Sequence, residues 1–128
     1  MSIQRAQPLI HVIDDDEAVS SSLVLLGDAK GWQVETFSSA DDYLAAFPFA
    51  ERPPDCRVVD LQMPGMNGAE LLEALQAAEG YSHTIVLTAW PESDLAHRAL
   101  KAGASRIITK PFLPREWIHA VEQSLLTA

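Results

Sequence analysis

Leu9-Ile10-His11-Val12-Ile13-Asp14-Asp15-Asp16-Glu17 decides how this chain is read. A short run rich in branched aliphatics passes without a break into a run of acids. A continuous apolar run of this length fits a strand buried on both faces, as in a parallel sheet. Carboxylates placed directly after it lie at the strand's carboxyl end, where open α/β sheets bind ligands. Three further runs repeat the arrangement. Arg57-Val58-Val59 leads into Asp60, Thr84-Ile85-Val86-Leu87 into Thr88, and Ile107-Ile108-Thr109 into Lys110. As parallel strands of one sheet, they would bring Asp14, Asp15, Asp60, Thr88 and Lys110 to a single edge. Clustered carboxylates repel one another unless a cation joins them, and hard oxygen ligands suit Mg2+. A metal, a nucleophilic aspartate, a lysine and a hydroxyl together point to phosphoryl transfer onto aspartate.

The segments between these runs read as helices. Residues 17–30 carry Val19, Leu23, Leu26 and Lys30 at helical spacing, with Gly31 as the stop. A second strand spans 33–37. Ser38 or Ser39 then caps a helix bearing Tyr43, Leu44 and Phe47, which Pro48 ends. Glu51-Arg52-Pro53-Pro54 is a loop into the third strand, 56–60. The turn-rich Pro64-Gly65-Met66-Asn67-Gly68 precedes a helix with Leu71, Leu72, Leu75 and Ala78 on one face. After the fourth strand, 84–88, Pro91 opens a helix that runs to Ala102 and stops at Gly103. The fifth strand is 106–109. The last helix begins near Pro114 and carries a stripe of Trp117, Ile118, Val121 and Leu125. Strands alternating with helices predict an α/β fold: a doubly wound parallel sheet of five strands with helices on both faces.

Composition sets outer bounds. The 128 residues suffice for one domain with a real core, and no repeat, low-complexity stretch or linker divides them. The chain is expected to be either free-standing or a piece of a longer protein. A net charge of −9 argues against direct nucleic-acid binding and against an anionic membrane surface. The first seven residues are polar and lack the apolar segment of a signal peptide. No stretch approaches a membrane span. Cys56 is the only cysteine, so no internal disulfide forms, and a reducing cytoplasmic location fits. Cys56 itself reads as a small residue at a strand start.

Each site residue has a structural alternative. An Asp after a strand can simply start a turn, which is the alternative for Asp60. One of Asp14 and Asp15 can hold a metal directly and the other through water, or one can cap the following helix. Asp16 is the expected cap. Thr88 at a strand end can be purely structural. Lys110 can pair with Asp60 and then with phosphoryl oxygens. The Lys110-Pro111 bond can be either isomer. Trp117 reads as core, and Trp32 as packing where the first helix turns into the second strand. His11 reads as a buried, hydrogen-bonded histidine. His83, His97 and His119 show no ligand-like spacing.

The order of these features carries a resemblance. Val12-Ile13-Asp14-Asp15-Asp16-Glu17, Val58 to Gly68, Ile85-Val86-Leu87-Thr88-Ala89, Ala99 to Ala104 and Thr109-Lys110-Pro111-Phe112 resemble the receiver domain of two-component response regulators. The likeness covers nearly all of residues 9–126. It implies a chemotaxis-regulator-like, flavodoxin-like sheet of order 2-1-3-4-5 with five helices. It implies Asp60 as phosphoacceptor, supplied by a histidine kinase or phosphotransfer protein. It implies Mg2+ held by Asp14, Asp15, Asp60 and the backbone carbonyl of Gln62, with Thr88 and Lys110 reading the phosphoryl group. Gln62, Ala89 and Trp90 would modulate the lifetime of the acyl phosphate. The fourth helix, fifth strand and fifth helix would form the output surface toward a target or downstream domain, and a phosphorylation-linked homodimer could use the same face.

One position departs from the family pattern. Ile107 stands where an aromatic switch residue is usual, and a β-branched side chain has few χ1 options. Coupling to the output face is therefore expected to be atypical. Rival readings are weaker. A phosphatase with an aspartyl-phosphate intermediate would want an acid two residues after the nucleophile, where this chain has Gln62. A flavin carrier would need a Ser, Thr and Gly phosphate cradle where Asp14 to Glu17 stand. A degenerate receiver that serves only in protein contacts is opposed by the complete set of acids with Thr88 and Lys110.

Overall fold

The computed structural model describes residues 7–46, 53–79 and 83–126. Within them the strands are β1 (Leu9–Ile13), β2 (Gln33–Phe37), β3 (Cys56–Asp60), β4 (Thr84–Thr88) and β5 (Arg106–Thr109). The helices are α1 (Glu17–Ala29), α2 (Ala40–Ala45), α3 (Gly68–Glu79), α4 (Asp94–Lys101) and α5 (Pro114–Leu126). All strand pairs are parallel and the order is β2-β1-β3-β4-β5, as the sequence predicts. The expectations for residues 1–6, for Phe47 and Pro48, and for Glu51 and Arg52 fall outside the described residues.

Alternation along the strands divides the core. Ile10, Val12, Val58, Ile85, Leu87 and Ile108 face α1 and α5, where they meet Leu23, Trp117 and Val121. Ile13 and Val59 face the other way, onto Tyr43 of α2 and Leu71 and Leu75 of α3. Val86, on that same side, meets Leu61, Leu72 and the alanines of α4. Every residue of β1, β3 and β4 is buried, which explains why these strands are mostly apolar. Trp117 is core, and Trp32 packs edge-on against it at 5.8 Å. Such a pair adds about 0.5–1.5 kcal/mol beyond area burial. Among the described residues no helix is long and apolar enough to cross a membrane.

Away from the carboxyl-end residues, His11 and Arg57 are the basic side chains buried in these strands, and both find partners. His11 Nδ1 lies 2.7 Å from the Tyr43 hydroxyl, and its Nε2 lies 3.0 Å from Glu35 Oε2. Arg57 Nε donates to the same Tyr43 oxygen at 2.7 Å. This network ties α2 and the edge strand β2 to the two central strands. Cys56 is buried, and burial pushes its thiol up to about 12 against the pull of a Ser124 hydrogen bond. It stays protonated at neutral pH.

Helix ends follow local chemistry. Asp16 caps α1 through hydrogen bonds from the Ala18 and Val19 amides, so it serves the helix rather than the acid cluster. Gly31 adopts φ +80° just beyond α1. α4 departs from expectation: it starts at Asp94, not Pro91. The Ser93 hydroxyl accepts the Ala96 amide at 3.1 Å and sets the start three residues later, leaving Pro91 and Glu92 in a turn.

Candidate functional site

The carboxyl ends of β1, β3, β4 and β5 meet at one edge, and each delivers its residue there. Asp14 follows β1, with its amide held by the Phe37 carbonyl at 3.1 Å. Asp60 ends β3, Thr88 ends β4, and Lys110 follows β5 with its amide on the Thr88 carbonyl at 2.8 Å. The Lys110-Pro111 peptide bond is cis. Backbone pairing therefore fixes four of the five residues that the sequence singled out, and Asp15, next to Asp14, joins the carboxylates of Asp14 and Asp60 at the same edge.

Charge dominates the site. Asp14, Asp15 and Asp60 each offer an oxygen, and these atoms lie within 4.8 Å of one another. Lys110 Nζ bridges Asp14 Oδ2 at 3.1 Å and Asp60 Oδ1 at 3.3 Å. Asp14 is buried and spends its other oxygen on the Asp16 amide at 2.9 Å. Asp15 is exposed. Burial first, then the Asp14 carboxylate, pushes the Asp60 pKa up to about 6 against the pull of Lys110. Burial opposes the Lys110 charge, but Asp14 and then Asp60 outweigh it and hold the ammonium's pKa above its ordinary value. One cation faces three carboxylates, which leaves two negative charges unmatched. Hard oxygen donors with that deficit suit a divalent cation. Among the described residues this is the one cluster of three or more metal-ligating side chains.

The polar flank of the site holds a contact that sequence reasoning missed. The Thr88 hydroxyl is fully buried and donates to Gln62 Oε1 at 3.0 Å, while accepting the Trp90 amide at 3.0 Å. Gln62 was expected to lend its backbone carbonyl to the metal and to modulate the acyl phosphate, not to bond Thr88. No local signal pairs two side chains 26 residues apart; strand register makes the contact. Ala89 and Trp90 are exposed beside the site, and the Trp90 side chain stands largely in solvent. Ile107 is half-buried and packs toward the α4 alanines with Leu61 and Val86.

The loop after Asp60 is shaped by two features. Asn67 and Glu70 form a reciprocal capping box: each side chain accepts the other's amide, at 2.9 and 3.0 Å. The Asn67-x-x-Glu70 spacing was visible in the sequence and marks the start of α3. Gly68 packs so closely that a Cβ there would sit 2.6 Å from the Asp60 carbonyl oxygen and 3.0 Å from Leu61 Cα. Both are backbone, so neither can yield without moving Asp60. Gly68→Ala is expected to destabilise the protein by about 1–3 kcal/mol, read as a lowered urea midpoint. An unchanged midpoint would show that the loop moves freely.

Comparison with known proteins gives a consistent picture. The sequence pattern of the response regulator receiver domain matches residues 10–122. The transcriptional regulatory protein FixJ of Azorhizobium caulinodans is 42% identical over 118 residues, covering 91% of this chain and 54% of that protein. The C4-dicarboxylate transport transcriptional regulatory protein DctR of Rhodobacter capsulatus is 38% identical over 105 residues, covering 80% and 52%. The chain thus spans about half the length of these curated relatives. Among solved structures, FixJ-N superposes with a TM-score of 0.84 at 33% identity, covering 97% of this chain and 98% of that one. A receiver domain protein from Methanospirillum hungatei gives 0.87 at 26% identity, covering 95% and 96%.

Proposed function

This chain belongs to the receiver domain family of two-component response regulators, and on that premise we propose that Asp60 is its phosphoacceptor. The observation that carries the proposal is the position of Asp60. It ends the central strand, is nearly buried, and has a lysine 3.3 Å away with two further acids beside it. The donor is a phosphohistidine on a histidine kinase or phosphotransfer protein. An Asp60 carboxylate oxygen attacks phosphorus, a P–O bond forms and the P–N bond breaks. The electron pair of that bond leaves on the imidazole nitrogen, which takes up a proton.

The chain's own residues supply position and charge. Lys110 follows the charge from the Asp60 carboxylate to the phosphoryl oxygens. Thr88 donates its hydroxyl proton to one of those oxygens. Asp14, Asp15 and Asp60, with the Gln62 backbone carbonyl, would hold Mg2+. When bound, that ion neutralises the acids and the incoming phosphoryl charge. The chain is a self-modifying switch, not a turnover enzyme, and it acts in the cytoplasm. The phosphorylated state favours one member of a pre-existing equilibrium and presents α4, β5 and α5 to a target, a downstream domain or a second copy.

Trp90 is proposed to slow the return. Its bulky side chain stands beside the path by which water reaches the acyl phosphate. Trp90→Ala is expected to shorten the phosphoryl half-life by about two- to tenfold. An unchanged half-life, followed after rapid removal of donor, would remove this role.

The direct test is intact mass after incubation with acetyl phosphate and Mg2+. A single phosphoryl adduct that disappears with EDTA supports the reading. No adduct with acetyl phosphate, and none with any phosphorylated histidine kinase, overturns it.

A further inference from the structure

The Gln62–Thr88 hydrogen bond has a consequence for how the switch is thrown. A threonine hydroxyl carries a single proton. In this structure that proton goes to Gln62 Oε1, at 3.0 Å. It cannot serve Gln62 and a phosphoryl oxygen on Asp60 at once. Thr88 must leave Gln62 before it can read phosphorylation, and because Thr88 is fully buried, few alternative partners are at hand.

The same hydroxyl is also an acceptor. The Trp90 amide donates to it at 3.0 Å. The Trp90 carbonyl in turn accepts the Ser93 amide at 3.2 Å, and the Ser93 hydroxyl accepts the Ala96 amide at 3.1 Å in the first turn of α4. A continuous chain of hydrogen bonds therefore runs from the residue two after Asp60 to the N-terminus of α4. The helix at its far end is shallowly seated. Its fully buried contacts with Leu61, Leu72 and Val86 are Ala96 and Ala99, continued by Ala102 at the C-cap, and the half-buried Leu95 is the one larger side chain of the helix packed against them. Small side chains interlock little, so a shift of the helix meets less steric resistance than one with large knobs.

We propose that the Gln62 side chain is a positioning residue that locks Thr88 in its resting arrangement, and that release of Thr88 is relayed through Trp90 and Ser93 to the start of α4. This inference rests on Asp60 being the phosphoacceptor. It supplies an output route that does not need an aromatic ring at Ile107. It also makes Gln62 a restraint on activation, separate from any effect on water entry.

The test is a double-mutant cycle on the whole protein, with trifluoroberyllate as phosphoryl mimic. Its affinity in the presence of Mg2+ is measured by calorimetry for wild type, Gln62→Met, Thr88→Val and the double variant. Gln62 is exposed, so its replacement leaves the core intact. Gln62→Met removes the acceptor at similar length and is expected to tighten binding about three- to tenfold, the range of one net hydrogen bond. In the Thr88→Val background the same change should have less than about a twofold effect, while Thr88→Ser, which keeps the hydroxyl, should preserve it. The Trp90 and Ser93 amide resonances of Gln62→Met should move, without the mimic, toward their positions in the mimic-bound wild type. An equal gain in the Thr88→Val background, weaker binding by Gln62→Met, or unmoved amides would overturn the lock while leaving Asp60 as acceptor. Failure of the wild type to bind the mimic would remove the acceptor reading and the lock with it.

Discussion

Asp60→Asn is expected to abolish the phosphoryl adduct and, without divalent metal, to make the protein more stable at neutral pH. The first half follows from chemistry: a carboxamide is not a nucleophile toward phosphorus under these conditions, and a drop of at least about a hundredfold in adduct is expected. The second half follows from linkage. The Asp60 pKa is raised from an ordinary 3.8 to about 6, by burial first and by Asp14 second. The folded state therefore binds more protons than the unfolded state across that interval. Stability falls as pH rises from the lower value through the upper, and the whole penalty is present above about 6. Asn carries no charge and escapes it. The gain is about 1–2 kcal/mol at neutral pH once solvent screening is allowed for, and it shrinks toward zero in acid. Lys110 keeps Asp14 as a partner at 3.1 Å, so the substitution does not strand the ammonium. Unfolding by urea in EDTA, at about pH 5 and about pH 8, reads the difference. A variant no more stable than wild type at the higher pH would refute the electrostatic account. An adduct on the Asn variant would refute the acceptor.

That instability is the expected signature of a site built for chemistry rather than for folding. Three carboxylates on one sheet edge are kept together by backbone pairing, against their mutual repulsion. Strain of this kind is visible in a sequence because it violates a local rule: acids do not belong immediately after buried strands without a reason. Asp14, Asp15 and Asp60 were legible on that ground, and Thr88 and Lys110 only as companions at the ends of the neighbouring strands. The parallel sheet and the helix placement were legible because strand-like and helix-like segments alternate and β1, β3 and β4, buried on both faces, are mostly apolar. The strand order came from the family resemblance, and the structure has it. Asp16 as a cap followed from its position before Glu17.

What escaped the sequence depended on register or on competition between neighbours. Pro91 is a good first residue of a helix, but the Ser93 side chain caps better and won. The Gln62–Thr88 bond and the His11–Tyr43–Arg57 network each join residues far apart in the chain. Nothing in the local spacing of Arg57 says that a tyrosine hydroxyl from α2 will receive it. The isomer of the Lys110-Pro111 bond was left open by the sequence and is cis in the structure.

Lys110→Met separates the two roles that the lysine combines. It is expected to slow phosphorylation by about a hundredfold, the usual cost of removing one preorganised charge-stabilising donor. In the absence of metal it should also destabilise the fold at neutral pH by about 1–3 kcal/mol, because Asp14 and Asp60 lose their shared cation. Asp60 then ionises with still greater difficulty, so the loss grows as pH rises through the titration of that carboxylate. The two effects should respond differently to Mg2+. Lys110 already neutralises part of the charge of Asp14 and Asp60, which with Asp15 would hold the metal, so the variant is expected to gain more stability from added Mg2+ than the wild type does. A divalent ion can replace the missing charge between the acids. It cannot replace an ammonium that follows the phosphoryl oxygens. Stability restored by Mg2+ with phosphorylation still slow is therefore the expected pair of results, read by thermal unfolding and by intact mass against time. Phosphorylation at the wild-type rate would mean that Lys110 only holds the acids together, and that Thr88 and the metal alone stabilise the transferred group.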